Sequence, residues 1–426
     1  NFLTKDTFRS DFQNFEKNNR TWLDDYAEFM AFKEHFGNKA LQKWEDKQLI
    51  ARQPEALEKY RAMLKEKIQY FKVTQYFFFQ QWKALKAYAN RKGIQIIGDM
   101  PIYVAADSVE VWTKPELFQL DAERNPRFVA GVPADQFSAT GQLWGNPLYD
   151  WEAHKKQHYA WWIHRIEESF KIYDVLRIDH FKGFSDYWQV DGKADIAKYG
   201  CWQPGPGYDL FKAIKAQLGD LPIIAEDLGN IDDKARKLLT DCNYPGMKIL
   251  QFGFEDVSGE SLDSPHYCIP HSIVYTGTHD NDVTQGWYNG LTPEQQQYIN
   301  SYTHRRHDES ICQVMIRQLF ATVSHIAIAT MQDILAFPAS SRMNTPSTIG
   351  GNWEWRMQPS DLTQAKKDFL RQVTTLYHRA NKGEDMMKLS TYVKNETNKS
   401  LEQLSDKEIY IQLLNYIKHL AADKPK

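Results

Sequence analysis

The sequence has little of what would mark a secreted, membrane-bound or nucleic-acid-binding chain. Four cysteines in 426 residues, Cys201, Cys242, Cys268 and Cys312, stand far apart and form no C-x-x-C pair. That usage excludes a disulfide framework and a zinc ribbon, and it fits reduced thiols in a cytoplasmic protein. No sign of charge dominates: 52 Lys and Arg meet 55 Asp and Glu, a net charge of −3. A chain so balanced has no global field to hold nucleic acid or an anionic membrane. No apolar run approaches the roughly 20 residues of a membrane helix, and the opening NFLTKDTFRSDF lacks the apolar core of a signal peptide. No glycine-rich phosphate loop follows a strand-like run, so an open doubly wound sheet loses its usual nucleotide site.

What the sequence does have is aromatic and acidic. Aromatics make up 14%, including 13 Trp and 22 Tyr, which serves a large core and also offers flat faces for sugar rings. Residues 1–90 show helical spacing. WLDDYAEFMAFKEHF puts Trp22, Tyr26, Phe29 and Phe32 on one face, and TQYFFFQQWKALKAYANRKG is stopped by Gly93 after Arg91 and Lys92. Six short apolar runs follow: GIQIIGDMP (93–101), DVLRIDHF (174–181), LPIIAEDLG (221–229), GMKILQFGF (246–254), SIVYTGTHDND (272–282) and MQDILAF (331–337). Helical patterns such as YAWWIHRIEESFKIY and YDLFKAIKAQLG separate several of them. Apolar strands alternating with helices predict a parallel sheet covered on both faces, and 102–173 shows no further buried run.

Acidic residues gather at the carboxyl ends of these runs: Asp99, Asp179, Glu226 with Asp227, and Asp280 with Asp282. In a (β/α)8 TIM barrel that end is where catalytic groups collect. Asp179, Glu226 and Asp280 sit on three different strands and converge if the barrel closes. A pair of carboxyls about 5–5.5 Å apart suits a retaining glycosidase. The same acids could hold Mg²⁺ for proton abstraction beside a carbonyl, and spacing alone does not separate the two. Arg177, two residues before Asp179, points the same way along the strand and would keep that acid ionised. His279 stands beside Asp280.

GDMPIYVAADSVEVW (98–112), GVPADQFSATGQLWGNPLYDW (131–151), VLRIDHFKGF (175–184), IIAEDLG (223–229), PGMKILQF (245–252), VYTGTHDND (274–282) and RMNTPSTIGGNWEWRM (342–357) closely resemble the amylomaltase type of 4-α-glucanotransferase, in glycoside hydrolase family 77. The resemblance runs from about residue 20 to 360. It implies an α/β protein, a (β/α)8 TIM barrel with helical insertions, acting on α-1,4-glucans by retaining double displacement with no metal or other cofactor. It implies Asp179 as nucleophile, Glu226 as acid then base, and Asp280 as the third carboxylate. Arg177 would orient Asp179 and His279 would help hold the donor glucose, with Asp99, His180 and Asp227 shaping the pocket. Gln142 and Trp144 would form the acceptor side, and Asn344 would reach the donor. Tyr244 is either a stacking surface or core.

In that family roughly one hundred residues precede the point where this chain starts, so the first two barrel strands are expected to be missing here. The expected division is a helical unit at 1–90, the catalytic barrel at 91–382 and a helical extension at 383–426. Residues 386–426 resemble the opening of bacterial α-glucan phosphorylases. The expected partners are maltodextrin donor and acceptor, with no nucleic acid and no membrane; the oligomeric state is left open. Net hydrolysis of the same glucans, and a non-catalytic glucan-binding remnant, remain as alternatives.

Overall fold

The computed structural model describes residues 6–380 apart from 135–137, 230 and 347, together with isolated positions between 393 and 415. The 383–426 extension therefore lies almost wholly outside the described residues. The chain opens with helix Asp6–His35, which packs along helix Lys65–Arg91. Along that seam Phe15 meets Tyr76 at 5.5 Å and Trp22 meets Phe79 at 5.6 Å, while Phe29 and Phe32 pack on other neighbours. Phe29 and Phe32 are buried, and Phe32 meets Trp112 edge-on at 5.7 Å. The second helix ends at Arg91, and Gly93 follows with φ 72°, in the left-handed region that closes a helix.

Ten strands follow among the described residues: β1 (Ile97–Met100), β2 (Phe128–Val132), β3 (Gln142–Pro147), β4 (Val175–Ile178), β5 (Asp186–Asp191), β6 (Gly200–Pro204), β7 (Ile223–Ala225), β8 (Gly246–Ile249), β9 (Ser272–Tyr275) and β10 (Ile326–Ile328). β1, β4 and β7 pair in parallel, as do β8, β9 and β10. The Ala225 amide donates to the Pro245 carbonyl at 3.0 Å and links the two groups. The result is a run of six parallel strands in sequence order, the arrangement of successive strands in a (β/α)8 barrel. Helices Ala160–Ile172, Tyr208–Leu218, Asp233–Cys242 and Ile311–Ala321 fall between them. At β1, Gly98 is required by contact: a Cβ there would sit 2.1 Å from the Tyr173 ring. The outer edges of β1 and β10 carry no partner strand among the described residues.

Two expectations fail. MQDILAF is not the sixth strand. Its residues Met331–Leu335 form a short helix, capped by Thr330, whose hydroxyl accepts from the Asp333 amide, and closed by left-handed Ala336. The strand is the preceding Ile326–Ile328, too short to announce itself by composition. Nor is 102–173 without strands. β2 and β3 lie within it and join β5 and β6 in an antiparallel sheet of order β3-β2-β5-β6, with Ala130 fully buried. β2 pairs with β3 inside this segment and with β5 only after β4, and neither β2 nor β3 alternates buried and exposed residues, so the segment carries no period-two signature.

The MQDILAF helix puts a carboxylate where a strand would have placed apolar side chains. Asp333 is 1% exposed and accepts from the Thr276 hydroxyl (2.6 Å) and the Thr284 amide (2.8 Å). It fastens the segment leaving β9. Asp333→Ala leaves both donors unpaired in the interior and should destabilise the fold by about 2–4 kcal/mol. A thermal midpoint lowered by several degrees is the expected result.

Candidate active site

The strand VLRI is buried at every position, including Arg177. A guanidinium there needs partners of opposite charge. It has two: Arg177 Nη1 donates to both oxygens of Asp99 (2.6 and 2.8 Å) and to Asp179 Oδ1 (3.0 Å). Asp99 is its register partner on β1, and Asp179 follows β4 directly. Arg177 Nε lies 3.3 Å from the Met247 sulfur on β8. The two acids hold the guanidinium firmly in its charged form, against a burial that disfavours it. The side chains of Asp99 and Asp179 stay 41% and 45% exposed, so the arginine is enclosed while its acids open to the cleft.

After Asp179 the chain turns at His180, whose φ of 52° and ψ of 50° are left-handed. The His180 amide donates to Glu226 Oε2 at 2.8 Å, and the Leu228 amide to Glu226 Oε1 at 2.7 Å. Glu226 follows β7 as Asp179 follows β4. Burial first, and then the charge of Asp179, push its carboxyl up to about 7, although Arg177 and the two amides pull the other way. Glu226 thus keeps a proton near neutral pH, as a general acid must.

The third carboxylate stands on the turn after β9. Asp280 Oδ2 lies 3.2 Å from His279 Nε2, and Asn344 Nδ2 donates to Asp280 Oδ1 at 2.7 Å. Burial would raise this carboxyl, but the bonds from His279 and Asn344 hold it below the ordinary range. The bond to Asp280 raises His279 in turn. Trp353 lies 5.1 Å from the His279 ring, on a backbone with φ 64° that follows left-handed Gly350 and Gly351. Trp144, on β3, meets His180 edge-on at 4.8 Å, and its indole N–H donates to Gln142 Oε1 at 3.2 Å. Burial keeps His180 neutral, lowered to about 4.

The structure therefore brings Asp99, Arg177, Asp179, His180 and Glu226 into one bonded group, with Gln142 and Trp144 against His180. Asp280, His279 and Asn344 form a second group. Asp227 belongs to neither. Its carboxylate accepts the Met247 amide at 2.6 Å and fills the space where Gly246 has no Cβ, tying β7 to β8. Tyr244 is core: it packs on Phe211 and Phe181 at 5.7 and 6.1 Å. Sequence reasoning missed the amides of His180 and Leu228, which no side-chain pattern reveals, and the placement of Trp353 against His279. The one group among the described residues close enough to share a metal ion is His164, Glu167 and Glu168, on the helix before β4 and not at the strand ends.

A parallel α/β wall that gathers carboxyl groups at its strand ends defines an enzyme of the (β/α)8 class. The chain belongs to the 4-alpha-glucanotransferase family of glycoside hydrolase type 77, whose profile matches residues 2–402. It is 52% identical over 372 residues to a 4-alpha-glucanotransferase of Streptococcus pneumoniae serotype 4, covering 87% of this chain and 74% of the relative. It is 41% identical to the Thermus thermophilus 4-alpha-glucanotransferase over 83% of this chain and 72% of the relative. Among solved structures it is similar to an amylomaltase from Streptococcus agalactiae in complex with acarbose, with a TM-score of 0.88 and 56% identity over 89% of this chain and 77% of that one.

The Glu226 environment can be tested directly. Asp179→Asn removes the negative charge that helps raise Glu226, so the Glu226 carboxyl should titrate below about 7 in that variant. Carbon-13 carboxyl NMR or difference infrared spectroscopy reads it. An unchanged value would mean that burial alone sets the acid.

Proposed function

We propose that this chain moves α-1,4-glucan segments between maltodextrins by retaining double displacement, with Asp179 as nucleophile and Glu226 as acid and then base. Asp179 attacks the anomeric carbon of the donor as Glu226 gives its proton to the departing glycosidic oxygen, leaving a glucosyl ester on Asp179. Glu226, now a carboxylate, takes the proton of an acceptor hydroxyl. The acceptor oxygen bonds to the anomeric carbon, and the ester bond breaks back to Asp179. Asp280 grips donor hydroxyls with Asn344 and His279. Arg177 orients Asp179, and Asp99 balances the arginine's charge. The observation that carries this reading is the contrast between the two acids: Asp179 is bonded to a buried arginine, while Glu226 is bonded to two amides and raised to about 7 by desolvation and by the charge of Asp179. We assign the catalytic unit to 91–382 and the helical unit to 1–90. The four free thiols support a reducing, cytoplasmic setting.

Without its nucleophile the first step has no covalent route. Asp179→Asn should lower glucose release from maltotriose by at least about a thousandfold. Near-normal release by that variant overturns the assignment. Because Glu226 must carry a proton to cleave the donor, kcat/KM should fall as pH rises through about 7.

Whether an acceptor sugar or water reaches the ester depends on the acceptor side. Trp144 offers a flat surface there, 36% exposed, with Gln142 bonded to its edge. A sugar held on that surface competes with water through local concentration. Trp144→Ala should raise the ratio of hydrolysis to transfer more than it lowers total donor cleavage. Reducing-end release, compared with the distribution of product lengths, measures that ratio.

A further inference from the structure

Arg342 is half-buried at the start of the segment that crosses the turn after β9, and its guanidinium is used unusually. Nη2 donates to the Asp280 backbone carbonyl at 2.6 Å, and Nε donates to the Asn344 backbone carbonyl at 2.8 Å. No described carboxylate lies within ion-pair range of it. The two residues whose carbonyls it holds are also joined through their side chains, by the 2.7 Å bond from Asn344 Nδ2 to Asp280 Oδ1. Residues 280, 342 and 344 thus form a closed loop of three hydrogen bonds across two separate segments.

We propose that Arg342 is a positioning residue for transfer, clamping the backbones of Asp280 and Asn344 so that their side chains meet the donor sugar as a fixed pair. The inference rests on the reading of Asp280 as a donor-gripping carboxylate. Arg342 does not touch the sugar. A planar guanidinium can direct two N–H bonds at two carbonyls in a fixed geometry, and a lysine ammonium cannot reproduce that fork. Misplacement of a catalytic pair by about an ångström is enough to lower rate a hundredfold. In the neighbouring segment Asn352 accepts from the Thr345 amide, the Trp353 amide donates to the Met343 carbonyl, and the Trp353 ring lies on His279.

The test compares Arg342→Ala, Arg342→Lys, Asn344→Ala, the double variant Arg342→Ala/Asn344→Ala, and Asp280→Ala, in maltotriose disproportionation. Arg342→Ala should lower kcat by about 10–100-fold with KM changed less than about threefold, and Arg342→Lys should recover part of the loss. The double variant should be no worse than the more impaired single, because the arginine acts through the Asn344–Asp280 bond. Wild-type kcat in a folded Arg342→Ala, or losses that multiply in the double variant, overturns the proposal. If Arg342→Ala does not fold, Arg342→Lys decides: lowered kcat at unchanged KM supports the clamp, and unchanged kcat sinks it. Asp280→Ala separates the two readings. If it retains activity, the role of Asp280 fails; if it loses activity while both Arg342 variants keep theirs, only the clamp fails.

Discussion

The active face depends on one buried positive charge. Arg177 lies inside a wall of apolar strands, where an unpaired guanidinium would cost several kcal/mol. Its acids come from different places in the chain: Asp99 from β1, as its register partner, and Asp179 from the end of β4. A slip of β4 by one residue would turn Arg177 and Asp179 together to the other face and part them from Asp99. The ion cluster therefore fixes strand register as well as charge. Because the arginine is enclosed and its acids are half-exposed, the positive charge stays in place while Asp179 remains open to the cleft.

Glu226 shows the opposite arrangement. Its carboxyl is raised from an ordinary 4.5 to about 7 by burial and by Asp179. A carboxyl raised on folding contributes stability that is fully present below its unfolded value and is lost as pH rises toward about 7. The difference is worth about 3 kcal/mol, so at neutral pH the fold bears a strain in order to keep an acid protonated. The amides of His180 and Leu228 limit that strain by donating hydrogen bonds to the carboxylate form. The left-handed residue at His180 is part of the same arrangement, since the turn that ends β4 also presents an amide to the acid on β7. Two neighbouring strand ends thus place one acid on a buried arginine and raise the other to about 7.

Much of this was legible in the sequence. Five of the six parallel strands were short apolar runs, four of them with acids at their ends, and the helices between several of them kept 3.6-residue spacing. That Arg177 and Asp179 point the same way could be read from period-two alternation in VLRID. The sixth strand was not legible, because Ile326–Ile328 is only three residues long and half-buried, while the more apolar-looking MQDILAF carries a helix cap and a buried carboxylate. The β3-β2-β5-β6 sheet was hidden for another reason: its strands come from both sides of β4, and β6 is exposed along most of its length. Backbone donors to Glu226, and backbone acceptors for Arg342, leave no residue-type signal at all.

The acids at strand ends also show why position alone overstates function. Glu226 and Asp227 are adjacent, as strand ends often are, but consecutive side chains leave a strand on opposite sides. Glu226 turns toward His180 and the cleft; Asp227 turns toward the Met247 amide and stitches β7 to β8. The turn after β9 repeats the division two residues apart. Asp280 is bonded by His279 and Asn344 at the open face, whereas Asp282 accepts the Val283 amide, lies against Gly286, and gives its carbonyl to Gln251. In each pair one acid bonds to groups at the strand end while its neighbour bonds to backbone amides of the adjoining turn or strand.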